Sequence, residues 1–165
     1  MSLLSPDRYL ASVDRIDLQD LWDQGVRLIL LDRDNTLVPR DARVAPPEVT
    51  AWLERARAMG FELCMVSNNW HFSEVERTAG ELGLRAVGFC CKPLPFALVR
   101  ERRRVGVERR GAVMIGDQLF TDMWAGKLAG ARTILVQPQC KKDMWYTYIF
   151  RIFERAALRG VELEA

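Results

Sequence analysis

The sequence predicts an α/β fold: a parallel sheet of about five strands with helices on both faces. Three observations predict it. Short apolar runs recur along the chain, stretches with helical spacing of apolar residues separate them, and polar residues fall repeatedly just after the runs. A run that is apolar without alternation suits a strand covered on both faces, and strand then helix, repeated, implies right-handed crossovers and parallel pairing.

In chain order the predicted strands are RLILLD at 27–32, FELCMVS at 61–67, RAVGFC at 85–90, AVMIGD at 112–117 and RTILV at 132–136. Between them, PPEVTAWLERARAMG, SEVERTAGELG, PFALVRERRRVGV and TDMWAGKLAG read as helices, most with a glycine near the end that suits a C-cap. In an open α/β sheet, ligands bind beyond the carboxyl ends of the strands. The residues that fall there are Asp32 and Asp34, Ser67 to Asn69, Lys92, and Asp117 with Asp122, so four loops are expected to converge on one edge.

The 165 residues suit one domain, with a core over about 26–138 and a C-terminal segment, 139–165, outside it. No internal repeat or Gly/Ser-rich linker argues for a second domain. A formal charge of +2 announces no nucleic-acid binder. The start, MSLLSPDRYLASVDR, lacks the pattern of a secretory signal, and no apolar run of about 18 residues is present. A cytoplasmic protein is expected. Cys64, Cys90, Cys91 and Cys140 lack metal-ligand spacing and read as free thiols.

The pattern DxDxT in DRDNTL, 32–37, is weak alone, because an acidic pair after a strand also suits a solvated turn or a helix cap. The electrostatics add weight. Two unit charges about 4 Å apart at an effective dielectric near 20 repel by about 4 kcal/mol, so Asp32, Asp34, Asp117 and Asp122 at one edge call for cations. A hard divalent ion such as Mg²⁺, with Lys92 beside it, meets that need. Backbone N–H groups after Asp34, with the side chains of Thr36, Ser67 and Asn68, could hold phosphate oxygens.

The set DRDNTL, SNN at 67–69, KP at 92–93 and GDQLFTD at 116–122, in that order, resembles the haloacid dehalogenase superfamily of aspartate-nucleophile phosphohydrolases. The resemblance implies a three-layer Rossmann-like core and Mg²⁺ as cofactor. It implies Asp32 as the nucleophile that forms an aspartyl-phosphate and Asp34 as general acid and then base. Thr36, Ser67 and Asn68 are expected at the phosphate, and Lys92 holding nucleophile and phosphate together. Asp32, the Asp34 carbonyl and Asp117 are the expected metal ligands, with Asp122 supporting the metal shell or simply favoured by the following helix dipole. Arg33 departs from the family, which usually has an apolar residue there, and it receives no role.

Many relatives insert a cap domain after the first acidic motif or after the serine motif. Here those intervals hold only a loop with one helix, and one helix with one strand, so a capless enzyme is expected. Open sites suit a large substrate, or a headgroup presented by a surface. The stretches PDRYLASVDRIDLQDLWDQGVRLILLDRDNTLVP, CKPLPFAL and GDQLFTDMWAGKLAGARTILVQP further resemble the YqeG subgroup, which is similar to mitochondrial phosphatidylglycerophosphate phosphatases. That resemblance makes a lipid phosphomonoester the candidate substrate. Phosphatases of phosphoproteins or nucleic-acid ends, and a binding module that keeps the fold, are the alternatives.

The tail KKDMWYTYIFRIFERAALRG gathers Trp145, Tyr146, Ile149, Phe150, Ile152, Phe153 and Ala156 in one helical arc, with Arg151, Arg155 and Arg159 outside it. It reads as a basic amphipathic helix over 141–159 that either packs on the core or contacts a membrane peripherally. RERRRVGVERR at 100–110 is a further basic cluster, read chiefly as a solvated helix face. His71 and Trp70, beside the SNN motif, are expected on a loop near the site. No motif specifies an oligomeric state.

Overall fold

The computed structural model describes residues 5–140 and 163–164. Six strands pair in parallel throughout: β1 (Arg8–Leu10), β2 (Leu28–Leu31), β3 (Glu62–Val66), β4 (Arg85–Val87), β5 (Ala112–Gly116) and β6 (Arg132–Val136). Their spatial order is β1-β6-β5-β2-β3-β4. The helices are α1 (Leu18–Asp23), α2 (Pro47–Ala58), α3 (Phe72–Glu81), α4 (Phe96–Val105) and α5 (Trp124–Ala129).

The apolar runs are continuous because both faces of the sheet are covered. Ile29 and Leu31 of β2 pack with Leu63, Met65, Val113 and Ile115 against Leu21 of α1, Trp52 and Leu53 of α2 and Val75 of α3. Leu28 and Leu30 point the other way, with Cys64, Val66 and Met114, against Leu98 of α4 and Ala125 and Ala129 of α5. Each buried aliphatic side chain contributes about 1.5–3 kcal/mol, which makes the central strands a rigid mount. Buried Trp52 also donates its indole N–H to the carbonyl of Ile16 at 2.8 Å, tying α2 to the turn before α1.

Three features differ from the sequence expectation. The sheet has six strands rather than about five, because RYL at 8–10 pairs with Ile134 to Val136 at one edge. An edge strand has one sheet partner and needs no long apolar run, so this segment carried no strand signal. The packed core accordingly begins before residue 26, with Leu10, Val13, Ile16, Leu18 and Leu21 all buried. The third predicted strand, 85–90, ends at Val87, and the chain turns sharply with positive φ at Phe89 (58°) and Cys91 (51°). The helix read over 121–130 begins instead as a π-type turn over Leu119–Met123 and continues as α5.

Only a loop and α2 lie between β2 and β3, and only a loop and α3 between β3 and β4, so no cap domain is interposed. The expected tail helix, 141–159, lies outside the described residues. No helix among the described residues is long and apolar enough to cross a membrane.

Candidate active site

Topology places the site. From β2 the chain builds outward through β3 and β4, then returns to place β5 on the other side of β2. The connections therefore diverge between β2 and β5, which opens a crevice at the carboxyl ends of those strands. Leu31 pairs with Met65 on one side and Ile115 on the other, so the next residue, Asp32, stands level with Val66 and Gly116. The Asp32 N–H still donates to the Ile115 carbonyl at 2.9 Å, which fixes the carboxylate as an extension of the sheet.

Beyond Asp32 the backbone folds into a tight loop. Leu37 and Val38 donate to the Arg33 carbonyl, Asn35 donates to Val38, and Asn35 adopts φ 61°, a conformation asparagine tolerates better than most residues. Thr36 is buried here, its Oγ1 making no hydrogen bond within the described protein. The loop is closed from outside by Gln139, whose side chain donates to the Thr36 carbonyl and whose N–H donates to Asn35.

Lys92 is the electrostatic centre. Its buried ammonium donates to Asp32 Oδ1 at 2.6 Å, Asp122 Oδ1 at 2.7 Å and the Val66 carbonyl at 2.9 Å. Three bonds exhaust the capacity of an ammonium group. Burial opposes the charge on Lys92, but Asp122 and Asp32 outweigh it and raise its pKa, so the residue stays cationic. Burial pushes the Asp32 carboxyl up to about 7 against the pull of Lys92, with Asp122 and Asp34 adding to the rise. Asp117 completes the group: Asp32, Asp117 and Asp122, all buried, bring one oxygen each within 4.8 Å of one another.

Asp122 is held on both oxygens, since Oδ2 accepts from the Gln118 N–H at 3.1 Å while Oδ1 faces Lys92. The site leaves no room for a side chain at Gly116, where a Cβ would overlap the Asp122 carboxylate. That steric demand accounts for the glycine of GDQLFTD. Sequence reasoning did not find it, although the Gly-Asp pair after an apolar run was a signal.

The other expected residues also gather here. Ser67 N–H continues the sheet by donating to Val87, and its hydroxyl accepts from Asn69 N–H at 3.1 Å. Asn68 exchanges two bonds with the backbone of Lys92: its Oδ1 accepts from Lys92 N–H at 2.8 Å and its Nδ2 donates to the Lys92 carbonyl at 2.9 Å. The amide expected at the phosphate thus clamps the lysine loop. Asp34 is more exposed, at the mouth, and pairs with Arg33 at 2.6 Å. Arg33 is itself buried and donates from Nε to Thr78 of α3 at 3.2 Å. The residue without a role in the sequence thereby braces the second aspartate against α3.

Asp32, Arg33, Asp34, Asn68, Lys92 and Asp122 line a cavity of about 1140 Å³, rimmed by Arg40, Arg43, Arg77, Trp70 and His71. A donor set of clustered buried carboxylates suits a hard divalent cation, which takes oxygen ligands. A parallel sheet with an acidic, lysine-bridged switch point puts the protein among the α/β proteins that bind ligands beyond the carboxyl ends of their strands.

The comparisons with known proteins narrow the class. A family model described as HAD-hydrolase-like matches residues 89–143. The chain is 32% identical over 157 residues to the probable phosphatase YqeG of Bacillus subtilis (strain 168), covering 95% of this chain and 91% of that protein. This chain belongs to the haloacid dehalogenase-like phosphatases, in the family of that YqeG protein. It is also 25% identical over 136 residues to the chloroplastic/mitochondrial phosphatidylglycerophosphate phosphatase 1 of Arabidopsis thaliana, covering 78% of this chain but only 39% of that protein. A hydrolase from Streptococcus pneumoniae TIGR4 shares the fold, with a TM-score of 0.56 at 14% identity over 79% of this chain and 99% of that one.

Proposed function

We propose that the protein is a Mg²⁺-dependent phosphomonoester hydrolase that works through an aspartyl-phosphate on Asp32. The observation that carries this reading is the buried Lys92 ammonium held between Asp32 and Asp122 at the switch point. In the first step a carboxylate oxygen of Asp32 attacks phosphorus while the bond from phosphorus to the leaving oxygen breaks, and Asp34 gives that oxygen its proton. In the second, water attacks phosphorus, Asp34 takes a proton from the water, and the acyl-phosphate bond breaks to return Asp32 and release inorganic phosphate. Lys92 neutralises the nucleophile and the transferring group, with the Thr36 and Ser67 hydroxyls as phosphate donors and Asn68 fixing the lysine loop.

Asp32, the Asp34 carbonyl and Asp117 would hold Mg²⁺, which when bound supplies positive charge against the carboxylates and the phosphate. Asp122, with Lys92 on one oxygen and Gln118 on the other, supports that set from behind. The raised pKa of Asp32 gives this reading a pH signature. The native state holds a proton on Asp32 between the ordinary value of 3.8 and about 7, where the unfolded chain has lost it. Metal-free stability therefore falls, on account of this group, as pH rises through that window. Thermal unfolding should show Mg²⁺ raising Tm by about 5–10 °C at saturation near pH 7.5 and by much less near pH 5. An equal gain at both pH values would contradict Asp32 as a ligand.

The candidate substrate is phosphatidylglycerophosphate, taken from the Arabidopsis relative, and the open site suits a headgroup presented by a surface. The protein then acts in the cytoplasm, peripherally at the inner face of a membrane. Phosphate release with Mg²⁺ should be fastest from phosphatidylglycerophosphate in a panel that includes phosphopeptides and 3′-phosphorylated oligonucleotides. Turnover of those two without the lipid would replace the substrate. No release from any monoester would overturn the hydrolytic reading.

A further inference from the structure

Among the described residues, the large hydrophobic side chains left exposed are not scattered. Five of the eight, Trp70 (78% exposed), Phe72 (50%), Phe89 (55%), Leu94 (49%) and Phe96 (73%), belong to the β3–α3 and β4–α4 loops or to the first residue of the helix that follows. The two loops touch. Trp70 and Phe89 meet edge to face with centroids 4.3 Å apart, and Phe72 covers Gly88 so closely that a Cβ there would lie 2.6 Å from the ring. Contiguous exposed apolar surface of this kind marks an interaction site.

The backbone works to keep it exposed. Phe89 sits at φ 58°, where a bulky residue is strained, and Cys91 at φ 51°. Between these two residues the turn buries Cys90, whose N–H donates to the Ser67 carbonyl at 3.1 Å, and it leaves the Phe89 ring outside in water. The ledge also adjoins the active-site cavity, because Trp70 lines both the cavity and a small cleft with Phe89 and Cys91. The cavity rim carries Arg40, Arg43 and Arg77 against one acid, Glu74, and Arg77 also pairs with Glu81 at 2.8 Å.

We propose that these two loops are a membrane-docking surface that seats the mouth of the site on an anionic bilayer. The exposed rings stand on two touching loops beside a rim that carries three arginines, so an apolar phase under an anionic surface meets both features at once. Aromatic side chains favour the membrane interface, and each nearby arginine is attracted by an anionic leaflet. Docking would bring a lipid phosphomonoester to Asp32 from a headgroup plane, with the bilayer closing a site that has no cap. The proposal builds on the lipid-headgroup reading above, and flotation tests it without catalysis.

The full-length protein is expected to float with vesicles of phosphatidylcholine containing a quarter phosphatidylglycerol, and weakly with phosphatidylcholine alone. Phe89→Asn combined with Phe96→Ser should weaken flotation at least about tenfold, from the lost burial of two rings, while p-nitrophenyl phosphate is still hydrolysed at the wild-type rate. Asparagine tolerates positive φ, so that change relieves strain at 89. Arg43→Glu with Arg77→Glu, which leaves the rings in place, should weaken binding to the anionic vesicles alone. Wild-type flotation by both variants would place membrane contact elsewhere and overturn the proposal. No flotation of the wild type, or equal flotation on both lipids, would overturn it too, and the first would favour a protein partner for the ledge. Inactivity of the wild type on p-nitrophenyl phosphate would instead count against the hydrolytic reading, leaving the docking result intact.

Discussion

Replacing Asp32 by asparagine is expected to abolish turnover while leaving the fold intact. The amide keeps the shape and still accepts from Lys92 at the position of Oδ1, but it cannot attack phosphorus. Loss of a nucleophile costs on the order of 10⁴-fold or more in kcat. Stability should change by no more than about 1–2 kcal/mol, because burial already disfavours the Asp32 charge and the substitution removes one acid from a crowded group. Acid-quenched wild-type protein turning over a labelled monoester should carry acid-stable, hydroxylamine-sensitive phosphate, and the variant none. Turnover within tenfold of wild type would remove Asp32 from the chemistry.

The second large effect concerns stability as much as rate. Lys92→Met takes a buried cation from between Asp32 and Asp122 and leaves the three carboxylates facing one another. Breaking a buried pair by removing one partner costs about 3–5 kcal/mol, since the uncompensated charge stays buried. For a chain of this size that is on the order of 10 °C in Tm without metal. Mg²⁺ should restore part of the lost stability and little of the activity, because an ion among the carboxylates offsets their repulsion but does not replace the ammonium at the nucleophile. A metal-free Tm within 2 °C of wild type would mean that Lys92 carries no such electrostatic burden.

The opposite behaviour of these two variants follows from position on the same sheet edge. Asp32 ends a strand whose backbone pairing holds it whatever its side chain, as the N–H of Asp32 to Ile115 shows. Lys92 lies on an irregular loop, held by Asn68 and by its own ion pairs, so removing its charge removes part of what fixes the loop.

Much of this site was legible in the sequence because parallel strands announce themselves. A strand buried on both faces must be apolar throughout, so its end is visible as the first charged residue, and Asp32, Ser67 and Asp117 each follow such a run. Convergence of the loops then follows from parallel direction alone. What stayed hidden depended on partners distant in the chain. β1 is an edge strand defined by β6, more than 120 residues away. Arg33 drew no role because Thr78, its partner on α3, could not be placed. Asn68 reads in the sequence as a phosphate donor, and only the fold shows that its amide also exchanges two bonds with the lysine loop. Phe89 counted as part of a strand because its side chain is apolar, and only the fold turns it outward.

By itself, then, the sequence determined the α/β class, the edge where the acidic, serine and lysine motifs gather and the residue types available there, because burial on both faces of a sheet dictates a local pattern. Tertiary structure alone decided that Lys92 bridges Asp32 and Asp122, that Gly116 makes way for the Asp122 carboxylate, that Arg33 braces Asp34, and that aromatic rings gather at the mouth. Those are distances between residues remote in the chain, and distance sets both the strength of a charge interaction and the existence of a surface.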